Sequence, residues 1–223
     1  MTGMLASVKN LHEVELVLEA NVDIIDLKQP QFGALGALPI ELVKEIVEKV
    51  AGRCPVSSTI GDLPMDADVI FNAVWTMEKT GVNFVKIGFF PEGNWLEIIQ
   101  KLSKLTANVK LIAVLFADTR PDFSIISALQ KAGFSGVMLD TMQKQNESLT
   151  QVMSHEMIAK FVELTKKQTL ICGLAGSLRL ENIAELLPLN VDYLGFRGAL
   201  CVENNRVGIL DLDALQQIRI GTK

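Results

Sequence analysis

Short apolar runs alternate with longer amphipathic stretches along the whole 223-residue chain, and no Pro/Gly/Ser-rich linker breaks the alternation. The runs are Met4–Val8, Asp23–Lys28, Val56–Ile60, Phe84–Phe89, Lys110–Phe116, Gly136–Asp140, Leu170–Ala175 and Tyr193–Arg197. Most are apolar on both faces, which is the pattern of a parallel strand buried between two layers. The stretches between them carry a 3.6-residue period. Pro39 opens a first helical turn, followed on one face by Leu42, Val43, Ile46, Val47 and Val50. Asn10, with Glu13 three residues on, forms a variant of the capping box. Ser154 caps a stripe of Met157, Ile158, Phe161, Val162 and Leu164, and a last helix runs from Asp211 to Ile218. Eight strand–helix units predict one α/β domain over residues 1–223, a closed (β/α)8 TIM barrel. An open doubly wound sheet would need a Gly-rich turn after the first strand, and Val8-Lys9-Asn10 supplies none.

Composition narrows the function classes. With 49% hydrophobic and 21% charged residues, disorder is excluded. A chain of this length buries roughly 70% of its unfolded surface and needs no covalent staples. Cys54, Cys172 and Cys201 form no CxxC pair, which fits a reducing compartment. The net charge of −5, without a Lys/Arg-dense patch, argues against nucleic acid as a partner. Met1–Asn10 has neither a basic n-region nor an apolar h-region, so no signal peptide is expected. The longest apolar run, Leu111–Ala117, is far too short for a membrane span. A cytoplasmic protein is expected, with no membrane partner.

Active sites of such barrels lie at the C-terminal ends of the strands, so charges closing apolar runs are informative. The second strand carries Asp26 and Lys28, two apart and therefore on one side. The fourth carries Lys86 within an apolar run, and the sixth ends on Asp140, with Lys144 just beyond. Alternate strands feed the same interior layers, so Lys28, Lys86 and Asp140 can converge. A desolvated ammonium loses its proton more readily and becomes a nucleophilic amine, able to form a Schiff base with a carbonyl. Asp26 and Asp140 would orient the amines and exchange protons. The competing reading is that the lysines snorkel from strand ends or form structural ion pairs.

The last two strands close on glycines: Gly173, Gly176 and Ser177 on one, Gly195, Arg197 and Gly198 on the next. Small residues there let backbone N–H groups approach an anion, and these loops are the usual phosphate site of the barrel. Arg197 either adds charge to that site or faces away. The glycine-rich loop 29–37 follows Lys28 directly, which suggests a lid or substrate-gripping loop. Asp62 and Asp118 place further carboxylates at the mouth, although a plain turn also explains Asp62. His12 and His155 fall on predicted helices away from the mouth, and no His/Cys/carboxylate cluster has zinc spacing. Trp75 and Trp95 read as packing residues. A lysine-based mechanism on a phosphorylated carbonyl compound, without metal or cofactor, is what remains.

At these residues the chain resembles the (5-formylfuran-3-yl)methyl phosphate synthase family, also called 4-(hydroxymethyl)-2-furancarboxaldehyde-phosphate synthase. The resemblance runs through Asp23-Ile-Ile-Asp-Leu-Lys28, Gly33-Ala-Leu-Gly-Ala37, Thr59-Ile-Gly-Asp-Leu-Pro64, Val85-Lys-Ile-Gly88, Met138-Leu-Asp-Thr141, Leu174-Ala-Gly-Ser177 and Gly195-Phe-Arg-Gly-Ala-Leu-Cys201. Their order and spacing, more than any one segment, carry it. The resemblance implies a lyase of methanofuran biosynthesis, joining two glyceraldehyde 3-phosphates with loss of one phosphate and two waters. It further implies Lys28 as the Schiff-base lysine and Lys86 as proton acceptor, with Asp26, Asp140 and Lys144 in support. Gln29 and Gln31 stand where that family commonly has a charged residue, and the segment after Lys144 diverges. The alternatives are a class I aldolase of other sugar phosphates and a non-catalytic sugar-phosphate-binding barrel. A homo-oligomer is expected only because barrels of this kind commonly associate through their outer helices.

Overall fold

A computed structural model describes residues 2–143 and 147–222; Lys144 lies outside the described residues. Eight parallel strands close into a barrel in chain order: β1 (Gly3–Val8), β2 (Ile24–Leu27), β3 (Val56–Thr59), β4 (Phe84–Phe89), β5 (Lys110–Phe116), β6 (Gly136–Asp140), β7 (Ile171–Leu174) and β8 (Tyr193–Phe196). Each agrees with its predicted run to within a residue at either end. Closure rests on β1 pairing with β8, Gly3 against Tyr193 through Ala6 against Phe196. That pairing removes the open-sheet alternative and leaves no strand edge.

Helices α1 (Leu11–Glu19), α2 (Ile40–Val50), α3 (Ala67–Glu78), α4 (Trp95–Leu102), α5 (Ile125–Lys131), the one-turn α6 (Leu149–Val152), α7 (His155–Lys167), α8 (Leu180–Leu186) and α9 (Leu212–Gly221) connect the strands. Local chemistry accounts for their ends. The Asn10 side chain accepts the Glu13 N–H, as predicted, but the Glu13 carboxylate accepts from Lys9 N instead of closing the box on Asn10. Pro39 occupies the cap position before α2, with an extended ψ of 138°, and the helix begins at Ile40. On α7 the buried stripe is Ile158, Phe161, Val162 and Thr165, spaced three, four and seven residues from the first; Met157 faces solvent instead. The Thr165 hydroxyl donates back to Phe161 O, which lets a polar residue occupy a core position.

Strand alternation divides the core in two. Ile25, Leu27, Val85, Ile87, Leu139 and Leu174 point outward into the large core beneath the helices. Leu5, Ile24, Phe84, Ile112, Val114 and Met138 point inward and fill the barrel. The inward set therefore includes Asp26, Lys28, Lys86 and Asp140 by parity, and these polar groups sit where the apolar filling stops. Among the described residues no helix is long and apolar enough to cross a membrane.

All three cysteines are free thiols. Burial, aided by the neighbouring Asp192 carboxylate, pushes the Cys172 thiol up to about 12. Above the thiol's ordinary value of about 8.5 the unfolded chain ionises while the folded chain holds its proton. Cys172 thus stabilises the fold fully below about pH 8.5 and loses that contribution as pH rises towards 12. Alkylation at pH 8 is expected to label the half-buried Cys54 first and Cys172 only with denaturant, as peptide mass mapping would show.

Candidate active site

Asp26 lies at the centre of a polar row across the first three strands. Ser7, Asp26 and Ser57 stand in register on β1, β2 and β3, all facing inward. Both hydroxyls donate to the Asp26 carboxylate, Ser7 Oγ at 2.8 Å and Ser57 Oγ at 2.7 Å. Lys86 from β4 supplies the counter-ion, with Nζ 2.9 Å from Asp26 Oδ2. Asp26 is fully buried, and Lys86 is 3% exposed. A carboxylate so deep is tolerable only because a cation and two hydroxyls satisfy its oxygens.

A second pair lies nearer the mouth. Lys28, just past β2, has its ammonium 3.8 Å from Asp140 Oδ2 at the end of β6. The other Asp140 oxygen accepts the Thr141 N–H at 2.7 Å. Two lysines and two carboxylates from β2, β4 and β6 thus form two ion pairs of unequal closeness. Ion pairs alone would also satisfy a structural role. What distinguishes these is access: Lys28, Lys86 and Asp140 line a cavity of about 430 Å³ that opens at the C-terminal end of the barrel, within the size range of small-molecule sites. Asp26 is not among the lining residues; it positions Lys86 from beneath.

The remaining expected positions separate by level. Gly176, Ser177, Gly195 and Gly198 line the same cavity. Gly173 lies one layer lower, against Met138 Cε, where its missing side chain leaves room for that methionine. Gly176 has φ +109°, and a Cβ there would approach Thr141 N to 2.9 Å, so the bend after β7 requires glycine. Arg197 borders the cavity but directs its guanidinium away from it. Nε donates to Arg206 O, Nη1 to Ser7 O and Glu13, and Nη2 to Glu13 and Gly208 O. All five N–H donors are matched within the protein, so Arg197 braces the β8 loop against α1, and the expectation of phosphate contact from its side chain is corrected to the facing-away alternative.

The two mouth carboxylates anchor loops. Asp62 accepts the N–H groups of Ala34 and Leu35, at 2.6 and 2.7 Å. Thr59 Oγ1 adds a bond to Gly36 O. Gly33, at φ +88°, could carry no side chain here, because a Cβ would fall 2.0 Å from Asp62 Oδ2. Ala34 and Leu35 pack into the barrel interior, so the loop expected as a lid is pinned at this segment. Asp118 likewise accepts from Met142 N and Gln143 N after β6. Asp62→Ala is expected to destabilise the fold by about 1–3 kcal/mol, the loss of hydrogen bonds to a charged acceptor. Faster proteolytic cleavage within 29–37, with Lys28 chemistry retained, would check it.

Ser7, Ser57, Arg179 and Arg206 were not singled out from the sequence, and Glu13 was named only as a capping residue. Ser7 and Ser57 had a usable signal: each interrupts a strand at the inward parity beside Asp26. Glu13 had none beyond its capping position, and it became the buried partner of Arg197. Arg179 and Arg206 come from loops after β7 and β8, where no periodicity predicts direction, yet both line the cavity. His12 and His155 are exposed on helices, as expected. Trp95 packs edge-on against Phe89 and donates to Phe90 O, whereas Trp75 is nearly half exposed beneath the Lys79 ammonium. No group of three potential metal ligands occurs among the described residues.

Solved structures with this architecture include phosphoribosyl anthranilate isomerase from Thermus thermophilus (TM-score 0.70, 12% identity, 99% of this chain and 98% of that one). Thiamine phosphate pyrophosphorylase from Pyrococcus furiosus is a second (TM-score 0.68, 13% identity, 99% and 95% covered). At such identities they speak to the fold alone. In sequence, the chain is 32% identical to the (5-formylfuran-3-yl)methyl phosphate synthase of Methanococcus maripaludis strain C7, over 96% of this chain and 97% of that protein. It is 28% identical to the synthase of Methanocaldococcus jannaschii, over 97% of each. A Methylorubrum extorquens protein that carries the same synthase name provisionally is 38% identical, over 99% of this chain and 93% of its own. The model of the 4-HFC-P synthase family matches residues 4–219, and with nearly the whole chain so covered, the protein belongs to that family.

Proposed function

We propose that this barrel condenses two molecules of glyceraldehyde 3-phosphate into (5-formylfuran-3-yl)methyl phosphate through a Schiff base on Lys28, as a lyase of methanofuran biosynthesis. The observation that carries the reading is the pair of buried lysines, Lys28 and Lys86, each held by its own carboxylate at one cavity. The relatives named as synthases support an enzyme of this kind.

The two ion pairs suit different tasks. A nucleophilic amine must shed its proton, and a close carboxylate opposes that loss. The Lys28–Asp140 separation is 3.8 Å and the Lys86–Asp26 separation 2.9 Å. With Lys28 as the nucleophile, as the family resemblance implies, its neutral amine attacks the aldehyde carbon of one triose phosphate, and water leaves to give an iminium. The iminium draws electrons from the adjacent C–H bond; Lys86, having passed its own proton to the Asp26 carboxylate beside it, accepts the C–H proton as a neutral amine, and phosphate departs from the next carbon. Carbon–carbon bond formation with the second triose, hydrolysis of the imine to free Lys28, ring closure and loss of water then give the furan. In sum, two trioses yield one furan aldehyde phosphate, one phosphate and two waters, with no oxidant or reductant needed.

The direct test follows near-ultraviolet absorbance and free phosphate together after adding glyceraldehyde 3-phosphate to the purified protein. A new chromophore, with one phosphate released per two trioses consumed, is expected. A linear sugar phosphate without the chromophore would move the assignment to an aldolase, and neither product would refute catalysis on this substrate.

A further inference from the structure

We infer that Arg206, on the loop after β8, is a phosphate-recognition residue of this site, gripping the phosphate of the triose joined to Lys28. The identity of the substrate rests on the reading above; the anion site itself is tested apart from it.

The two arginines of the β8 loop are in opposite states. Arg197 has all its donors matched inside the protein. Arg206 is partly buried and lines the cavity with Lys28, Asp140 and Ser177. Among the described residues its side chain makes one hydrogen bond, from Nη2 to Gly33 O on the loop after β2. The other N–H groups of its planar fork are available for an anion, and two parallel N–H···O bonds fit a phosphate.

The bond to Gly33 also fixes where the fork is held. It spans the mouth from the β8 loop to the loop that follows Lys28, and Asp62 pins that loop through Ala34 and Leu35. The backbone is held too, since Arg206 O accepts Arg197 Nε. Asp140, the partner of Lys28, lies close enough to act on the Arg206 charge. A phosphate on Arg206 would therefore sit beside the Lys28–Asp140 pair. Burial, the largest influence, and Arg197 disfavour the Arg206 cation while Asp140 and Asp62 favour it; the balance lies against the charge, and a bound dianion would oppose that. With Arg197 turned away, Arg206 takes the place at the phosphate that the sequence suggested for its neighbour.

Wild type, Arg206→Gln and Arg206→Lys are compared by calorimetric titration with inorganic phosphate. Borohydride trapping with glyceraldehyde and with glyceraldehyde 3-phosphate is measured alongside. Arg206→Gln is expected to weaken phosphate binding about tenfold or more, with Arg206→Lys intermediate and the melting temperature unchanged. Trapping of glyceraldehyde 3-phosphate should fall in Arg206→Gln, while trapping of unphosphorylated glyceraldehyde should match wild type. A merely structural residue would lower both alike. Equal phosphate binding by wild type and Arg206→Gln, or no binding by wild type, would overturn the inference. A wild type that binds phosphate through Arg206 yet makes no furan would leave it standing and refute the proposed reaction instead.

Discussion

Replacing Lys28 by alanine is expected to lower furan formation by about a thousandfold or more, the scale of losing a covalent nucleophile. The fold should survive, because Lys28 stands at the mouth just past β2, where water can reach the Asp140 carboxylate once the side chain is cut back. Reduction with borohydride separates the roles of the two lysines. Wild type incubated with glyceraldehyde 3-phosphate should gain a covalent adduct on Lys28, and Lys28→Ala should gain none. Lys86→Met leaves the buried Asp26 carboxylate without its counter-ion and should be less stable, so adduct and furan are compared on its folded fraction, which should retain the adduct but lose furan because the proposed proton acceptor is gone. An adduct on Lys86 and full turnover by Lys28→Ala would together reverse the assignment.

The second large effect falls on stability. Asp26→Ala removes the counter-ion of a buried ammonium and the acceptor of two buried hydroxyls. Breaking one partner of such a pair costs about 3–5 kcal/mol, a large part of a typical folding free energy of about 5–15 kcal/mol. Chemical denaturation should show that loss as a lower midpoint. Asp26→Asn keeps the shape and one acceptor oxygen, so it should fold better than Asp26→Ala. Its turnover should still be low, because Lys86 loses the carboxylate that fixes its charge and position. If Asp26→Ala were as stable as wild type, the network around it would be energetically idle.

These effects rest on geometry that local sequence only partly encodes. The eight strands were legible because burial on both faces demands continuous apolar runs, and the helices because one apolar stripe must face the sheet. Strand parity then placed Asp26, Lys28, Lys86 and Asp140 inside. Parity is a local property with a period of two, so it survives translation from sequence to structure. The stripe on α7 failed at Met157 for a related reason. Hydrophobicity nominated it, yet helix rotation set by Ile158, Phe161 and Val162 turned it to solvent and gave the buried place to Thr165.

What the chain's sequence determined by itself was the repeating strand–helix unit and the inward position of the charged residues, both short-range consequences of burial. Only the tertiary structure decided partners. Asp26 pairs with Lys86, sixty residues away, and Lys28 with the more distant Asp140. Arg197 turns to Glu13 from the opposite end of the chain, and Asp62 and Asp118 hold loops instead of facing substrate. Pairing of this kind depends on closure of β8 onto β1 and on the stagger between strands. Those distances arise only when the whole barrel forms, so no window of sequence contains them.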